Sequence, residues 1–388
     1  MQVSWGFGSG AIASQPGSCR GISAIGCGSG PLYSARVRLV RVTAMLLCAA
    51  AIGIGLGSVG SSAVAGAESD SWRALLARVP ASGTFADSVI LNDYAAARAV
   101  GDVPRSPDRI HDLLTMEEAT GVAPSELFLG QGRGDPLADE LGIRSRDVKA
   151  DLVAGNPPDE LTILQGSINP KRVQRAVESD ATFSDLLQTT RYHKQRYYTW
   201  GLRRVDPRRR TPLRPLGIGG NLAIDPPFAT WSDSSRTVEA SIDAAAGKAD
   251  SLADDRDLTA VADALRSRGA YSGFLTAKEV APGVPTGGPT PLAPYDALGT
   301  GPTLQGAGKP DLLVALAYPD AATARAQADR FRAIAEQGTS VIGAPWSDLV
   351  AVDEITTDGR VVVGRFRTEK PRLWLDVVLR RDSLLASA

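Results

Sequence analysis

The chain has 388 residues, 43% hydrophobic and 22% charged, with a formal net charge of -1. That balance belongs to a globular protein and excludes a disordered, collagen-like or wholly membrane-embedded chain.

The first 67 residues differ from the rest. Their only charges are Arg20, Arg36, Arg38 and Arg41. The following run is apolar from Ala44 to Leu56 and ends in Ala63-Val64-Ala65 and Ala65-Gly66-Ala67. A basic stretch, an apolar stretch and a small-residue end predict a secretory signal peptide over 36–67, cut after Ala65 or Ala67. The competing reading is an uncleaved anchor, since the run is long enough to span a bilayer. Its Gly and Ser content and its small-residue end favour cleavage. Residues 1–35 match no targeting pattern and read as a wrongly extended gene start. Leu47 is too large to precede a lipoprotein cleavage at Cys48. Cys19, Cys27 and Cys48 all fall before residue 68, so the expected mature body is cysteine-free. Thiol catalysis, CxxC redox chemistry and thiolate metal sites are thereby excluded from that body. It must hold together by its core.

Trp72, Leu75, Leu76 and Val79 share one helix face, and Pro80 ends that helix. Four strand-turn-helix units follow along the chain. They are Val89 to Leu91 with Tyr94 to Val100, and Leu161 to Gln165 with Lys171 to Glu178. Then come Phe228 to Trp231 with Thr237 to Ala246, and Leu312 to Tyr318 with Ala321 to Gln337. Asn169 is placed to cap the second helix and Pro170 suits its first position. Further helices are expected from Ser106-Pro107 to Thr120, and over Arg256 to Arg266 behind an Asp255 cap. The repetition suggests an ancient duplication. At the C-terminus, Leu349 to Thr357 and Arg360 to Arg367 flank Asp358-Gly359 and predict a β-hairpin. Arg372 to Leu379 is expected as a third strand. Residues 281–310 hold seven Pro and seven Gly and read as a loop or linker between regions 68–280 and 311–388. Strands and helices mix without strict alternation. The expected fold class is therefore α+β, with repeated strand-turn-helix units on a mixed or antiparallel sheet and a C-terminal hairpin or meander.

Catalytic motifs are scarce. Gly55-x-Gly57-x-x-Gly60 fits a dinucleotide fingerprint but lies inside the expected leader. Gly306-Ala307-Gly308-Lys309 fails as a phosphate loop, because Pro310 stands where Ser or Thr is needed. Only His111 and His193 occur, too few for a three-histidine zinc site. Asp254-Asp255-Arg256-Asp257 suits a helix N-terminus rather than a calcium loop. No cofactor and no metal site are expected, and no catalytic residue is assigned.

The one concentration of charge is residues 191–214. It carries Arg191, Lys194, Arg196, Arg203, Arg204, Arg208, Arg209, Arg210 and Arg214 against one acid, Asp206. Tyr197 and Trp200 lie among them, with Tyr192 and Tyr198. Guanidinium forks match phosphate and carboxylate, and aromatic faces offer stacking. This segment is the candidate binding site for an anionic ligand. A plainer reading is two strands and a solvated loop, with the aromatics in the core and the arginines in water.

Several stretches, taken together, point to known proteins. They are Leu141-Gly142-Ile143 with Asp147-Val148, Leu161 to Gly166, Tyr197-Tyr198-Thr199-Trp200-Gly201, Ile242 to Gly247 with Ser251 to Asp255, and Asp358-Gly359-Arg360-Val361 with Trp374. The chain resembles uncharacterised exported proteins of actinobacteria over most of residues 70–388. The resemblance implies export and a single architecture, and it implies no activity and no site residues.

The function expected from these readings is that of an exported, secreted or cell-envelope protein, non-enzymatic, binding an anionic partner through 191–214. The expected partner is an anionic envelope polymer, a lipid head group or an acidic protein. Nucleic acid is disfavoured outside the cell. Membrane contact is expected only through an uncleaved leader. The alternative is a secreted hydrolase using His193 or a carboxylate pair.

Overall fold

The computed structural model describes residues 71–106, 109–125, 134–157, 159–201, 204–280, 289–304 and 308–387. The expected leader, its cleavage site and the preceding extension lie outside these residues, as does Arg203.

Twelve strands form one sheet in the order β11-β12-β10-β9-β8-β1-β2-β3-β7-β6-β5-β4. Every neighbouring pair is antiparallel. The strands are β1 Val89–Asp93, β2 Val148–Ala154, β3 Leu161–Gly166, β4 Gln188–Tyr192, β5 Gln195–Thr199 and β6 Asn221–Asp225. They continue as β7 Phe228–Ser232, β8 Ser272–Thr276, β9 Ala297–Thr303, β10 Asp311–Ala317, β11 Ala351–Asp358 and β12 Val361–Arg367. The helices used below are α1 Tyr94–Val100, α2 Arg109–Thr120, α3 Pro136–Leu141, α4 Pro170–Ser179, α5 Ser235–Ala245, α6 Arg256–Arg266, α7 Ala321–Gln337 and α8 Leu373–Leu379. The fold is α+β with a C-terminal strand meander.

The connectivity repeats. β1-β2-β3 run as a meander, α4 follows, and the chain returns through β4 to β7 so that β7 pairs with β3. Likewise β8-β9-β10 are followed by α7, and β12 comes back onto β10. The leading strands β1 and β8 pair at the centre, with Val89 opposite Leu275.

Successive strand residues point to opposite faces, and here they enter different cores. Leu313 packs with Trp72, Leu75, Leu258, Val261 and Leu265 on one face. Its neighbour Val314 packs with Phe331, Phe366 and Trp374 on the other. Ile163 and Leu164 divide in the same way, Leu164 joining Tyr94, Met116, Leu137 and Val173. The sheet is thus a middle layer with helices on both faces. That explains strands such as β8 and β9, which are buried at every position.

The helix starts follow from side-chain capping. Asp93, Asn169, Asp255 and Asp320 each accept a hydrogen bond from a backbone N–H in the first turn of the following helix. Each such cap is worth about 1 kcal/mol.

Three expectations need correction. Residues 372–379 are not a strand: Leu373–Leu379 is helical. Its buried Leu373, Trp374, Val377 and Val378 form a helical stripe, and the Trp374 indole N–H donates to the Gly121 carbonyl at 2.8 Å. The Pro/Gly-rich stretch 281–310 is not loop throughout, since it holds the fully buried β9. Gly301 serves close approach there, because a Cβ on it would stand 2.4 Å from the Ser272 carbonyl oxygen. Pro302 falls past the last β8–β9 pair, Phe274 with Thr300, where that ladder has ended. Finally, Asp358 pairs with Val361, so the hairpin turn is Gly359-Arg360, and Gly359 supplies the positive φ of 56°.

Candidate functional site

The basic segment spans the open β4 edge of the sheet and the loop after β5. In the β4–β5 hairpin, Arg191 stands directly opposite Arg196, and Tyr192 opposite Gln195. The turn residues are His193, at φ 50°, and Lys194. Arg191, Lys194 and Arg196 are exposed. Positive charge on an edge strand resists pairing with another chain.

The hairpin aromatics face inward instead. Tyr197 is 3% exposed and packs with Val238 and Ile242 of α5. Its hydroxyl donates to Glu239 at 2.8 Å. Burial, then the Glu239 carboxylate, push the Tyr197 phenol up to about 12. Trp200 is fully buried. Neither ring has a face open for stacking on a ligand.

The loop between Thr199 and Asn221 lies at the opposite end of β5 from Lys194. Its stretch 204–217 is built rather than slack. The Asp206 N–H donates to the Leu216 carbonyl at 3.1 Å, and Gly217 N–H to the Arg214 carbonyl at 2.9 Å. Thr211 and Arg214 exchange backbone hydrogen bonds at 3.2 Å. Gly217 has φ 64°, and a Cβ there would meet the Asp206 carbonyl oxygen at 1.9 Å.

Arg214 roots this loop. Its side chain is 2% exposed and Nη1 contacts Asp180 at 3.1 Å. The guanidinium carbon lies 4.1 Å from the Phe183 ring centre and 4.4 Å from that of Trp200. Among the described residues Nε and Nη2 have no hydrogen-bond partner, and the aromatic faces lie against the guanidinium instead. Burial lowers the Arg214 pKa, against the pull of Glu140 and Asp180. Glu140 accepts from Thr211 Oγ1 at 2.7 Å and from the Leu213 N–H at 2.9 Å, and burial raises its carboxyl. Arg209 is also engaged, donating to Asp185 at 2.7 Å and to the Thr182 carbonyl at 2.6 Å. The Arg209 hydrogen bonds hold the Asp185 carboxyl below its ordinary range.

The expected site therefore divides. Arg214, Tyr197 and Trp200 are core groups, and Arg209 is a strut. Arg204, Arg208 and Arg210 are exposed. Among the described residues, none of those three has a carboxylate within ion-pair distance. Arg191, Lys194 and Arg196 form a separate group at the far end of the hairpin.

His193 meets an acid but no nucleophile. Its Nε2 lies 3.1 Å from Asp243, whose other oxygen accepts from the Tyr192 hydroxyl at 2.7 Å. Tyr192, then His193, lower the Asp243 carboxyl. No serine or threonine hydroxyl is bonded to His193 among the described residues. The acids of 254–257 act locally: Asp255 caps α6, Asp254 accepts from Ser251, and Asp257 pairs with Arg360.

A second polar centre was not anticipated. Asp151 on β2 is fully buried between β1 and β3. It accepts from Asn92 Nδ2 at 2.8 Å and from the Tyr94 hydroxyl at 2.8 Å. Asn92 Oδ1 in turn accepts from Ser272 on β8. Burial drives the Asp151 carboxyl up to about 6, while donors from Asn92, Ser125 and Tyr94 hold it back. The only sequence signal was an acid inside an apolar strand.

No family model matches the chain, and no curated protein matches it. Among solved structures it is similar to crystal form III of TP0453, at 12% identity and a TM-score of 0.37, over 79% of this chain and 97% of that one. Form I is similar at 12% identity and a TM-score of 0.35, over 80% and 97%. A likeness at this level carries no functional information.

Proposed function

We propose that the protein is exported and works outside the cytoplasm as a non-enzymatic binding protein for an anionic partner. The observation that supports this most is the 204–217 loop. It spends Arg209 and Arg214 on its own anchorage and leaves Arg204, Arg208 and Arg210 in solvent, without acidic partners among the described residues. Such a fixed cationic surface recognises phosphate or carboxylate at little ordering cost.

The test is retention on a dextran sulfate matrix at low salt. The wild-type protein is retained and elutes as salt rises. Arg208→Glu with Arg210→Glu elutes markedly earlier, whereas equal elution refutes the assignment. Export is tested by the N-terminal mass of the protein recovered outside the cell, which should begin at Gly66 or Glu68.

A further inference from the structure

We propose that the anionic partner of the 204–217 loop is a phospholipid bilayer surface, onto which the loop docks by its exposed residues Arg204, Val205, Arg208, Arg210 and Leu216; this rests on the cationic role just assigned to that loop. The added observation is apolar. Val205 is 53% exposed and Leu216 is 51% exposed. The backbone brings their positions near one another at the loop's neck, because Val205 precedes Asp206, whose N–H donates to the Leu216 carbonyl at 3.1 Å. Arg204 adjoins Val205 in sequence, Arg208 lies within the short turn Pro207–Arg209, and Arg210 follows it.

Two exposed apolar side chains in one loop with three exposed arginines, which have no carboxylate partner among the described residues, suit a phosphate-rich surface with hydrocarbon beneath it. A wall polymer or an acidic protein surface would meet the arginines and leave Val205 and Leu216 in water. The loop does not have to fold on contact. Its backbone hydrogen bonds and its Arg214 root, held among Phe183, Trp200 and Asp180, exist already. Nearby acids are occupied internally: Asp206 caps the turn, Asp185 holds Arg209, and Glu140 holds Thr211 and Leu213. The other basic group, Arg191, Lys194 and Arg196, has no exposed large apolar residue within its hairpin and is not assigned this role.

The experiment is co-sedimentation with vesicles of phosphatidylcholine alone and of phosphatidylcholine with phosphatidylglycerol, run beside dextran sulfate retention. The wild-type protein should sediment with the anionic vesicles, and less so at high salt. Arg204→Glu, Arg208→Glu and Arg210→Glu combined should lower vesicle partitioning by about 100-fold and abolish matrix retention. Val205→Asn and Leu216→Asn, made singly and together, change exposed positions. The pair should lower vesicle partitioning by about tenfold and leave matrix retention unchanged. Retention on dextran sulfate without vesicle binding overturns the bilayer assignment and leaves the anionic-partner reading standing. Vesicle binding indifferent to Val205→Asn and Leu216→Asn also overturns it. Failure on both supports overturns both readings.

Discussion

Asp151 makes stability depend on pH in a direction opposite to most carboxylates. Its carboxyl titrates near 6 in the folded protein, against an ordinary value of 3.8. Below about pH 4 it is protonated in both states and costs nothing. As pH rises toward 6, the unfolded chain releases the proton while the folded chain keeps it. The folded state therefore loses stability across that window and levels off above it. Two pKa units at about 1.4 kcal/mol each put the full cost near 3 kcal/mol. Among the described residues facing Asp151, only Tyr94 titrates, and burial holds its phenol well above the ordinary range. Asn92, Ser125 and Ser272 are neutral. Asp151→Asn keeps the size and copies the neutral acid, with an oxygen for Asn92 Nδ2 and an amide donor toward the Tyr94 hydroxyl. The variant should gain about 2 kcal/mol relative to wild type between about pH 4.5 and pH 7.5. Urea unfolding of both proteins at the two pH values measures this. The comparison stands even if the variant is weaker at both. A variant-to-wild-type difference that is the same at both pH values refutes the reasoning.

Two further outcomes follow from the packing. Arg214→Met leaves Asp180 without its partner inside the protein and should cost about 3–5 kcal/mol in chemical denaturation. Hydrogen exchange should quicken over 204–217, and an unchanged exchange pattern would show that Arg214 does not root the loop. Gly301→Ala places a methyl against the Ser272 carbonyl oxygen and should lower the melting temperature sharply, whereas Gly359→Ala, with nothing within 4 Å, tests positive φ alone and should cost less. Equal losses at the two glycines would remove the close-approach argument.

What could be read from the chain alone was local. Asn169 and Asp255 read as caps because a short acceptor side chain reaches N–H groups two or three residues on, and Asp93 and Asp320 prove to cap in the same way. The strand-turn-helix units follow from those starts, whereas the return of β7 onto β3 and of β12 onto β10 is seen only in the structure. What could not be read was whatever a middle-layer sheet decides. β8 and β9 are buried on both faces, so they lack the apolar-polar alternation that marks a half-exposed strand. Leu373 to Leu379 is apolar almost throughout, and such a short run suits helix and strand equally until a partner is named.

The candidate site shows the same division at the level of single residues. Arg208, Arg209, Arg210 and Arg214 are indistinguishable by type and nearly by position. Arg209 is taken by Asp185, 24 residues away, and Arg214 by Asp180, 34 residues away. Burial follows from those distant partners and from Phe183 and Trp231, which composition within 191–214 does not contain. The basic run is therefore a mixture of anchored and exposed side chains. In the binding proposed above, the anchors would spare the remaining arginines an ordering cost, because an unanchored loop loses conformational entropy on every encounter.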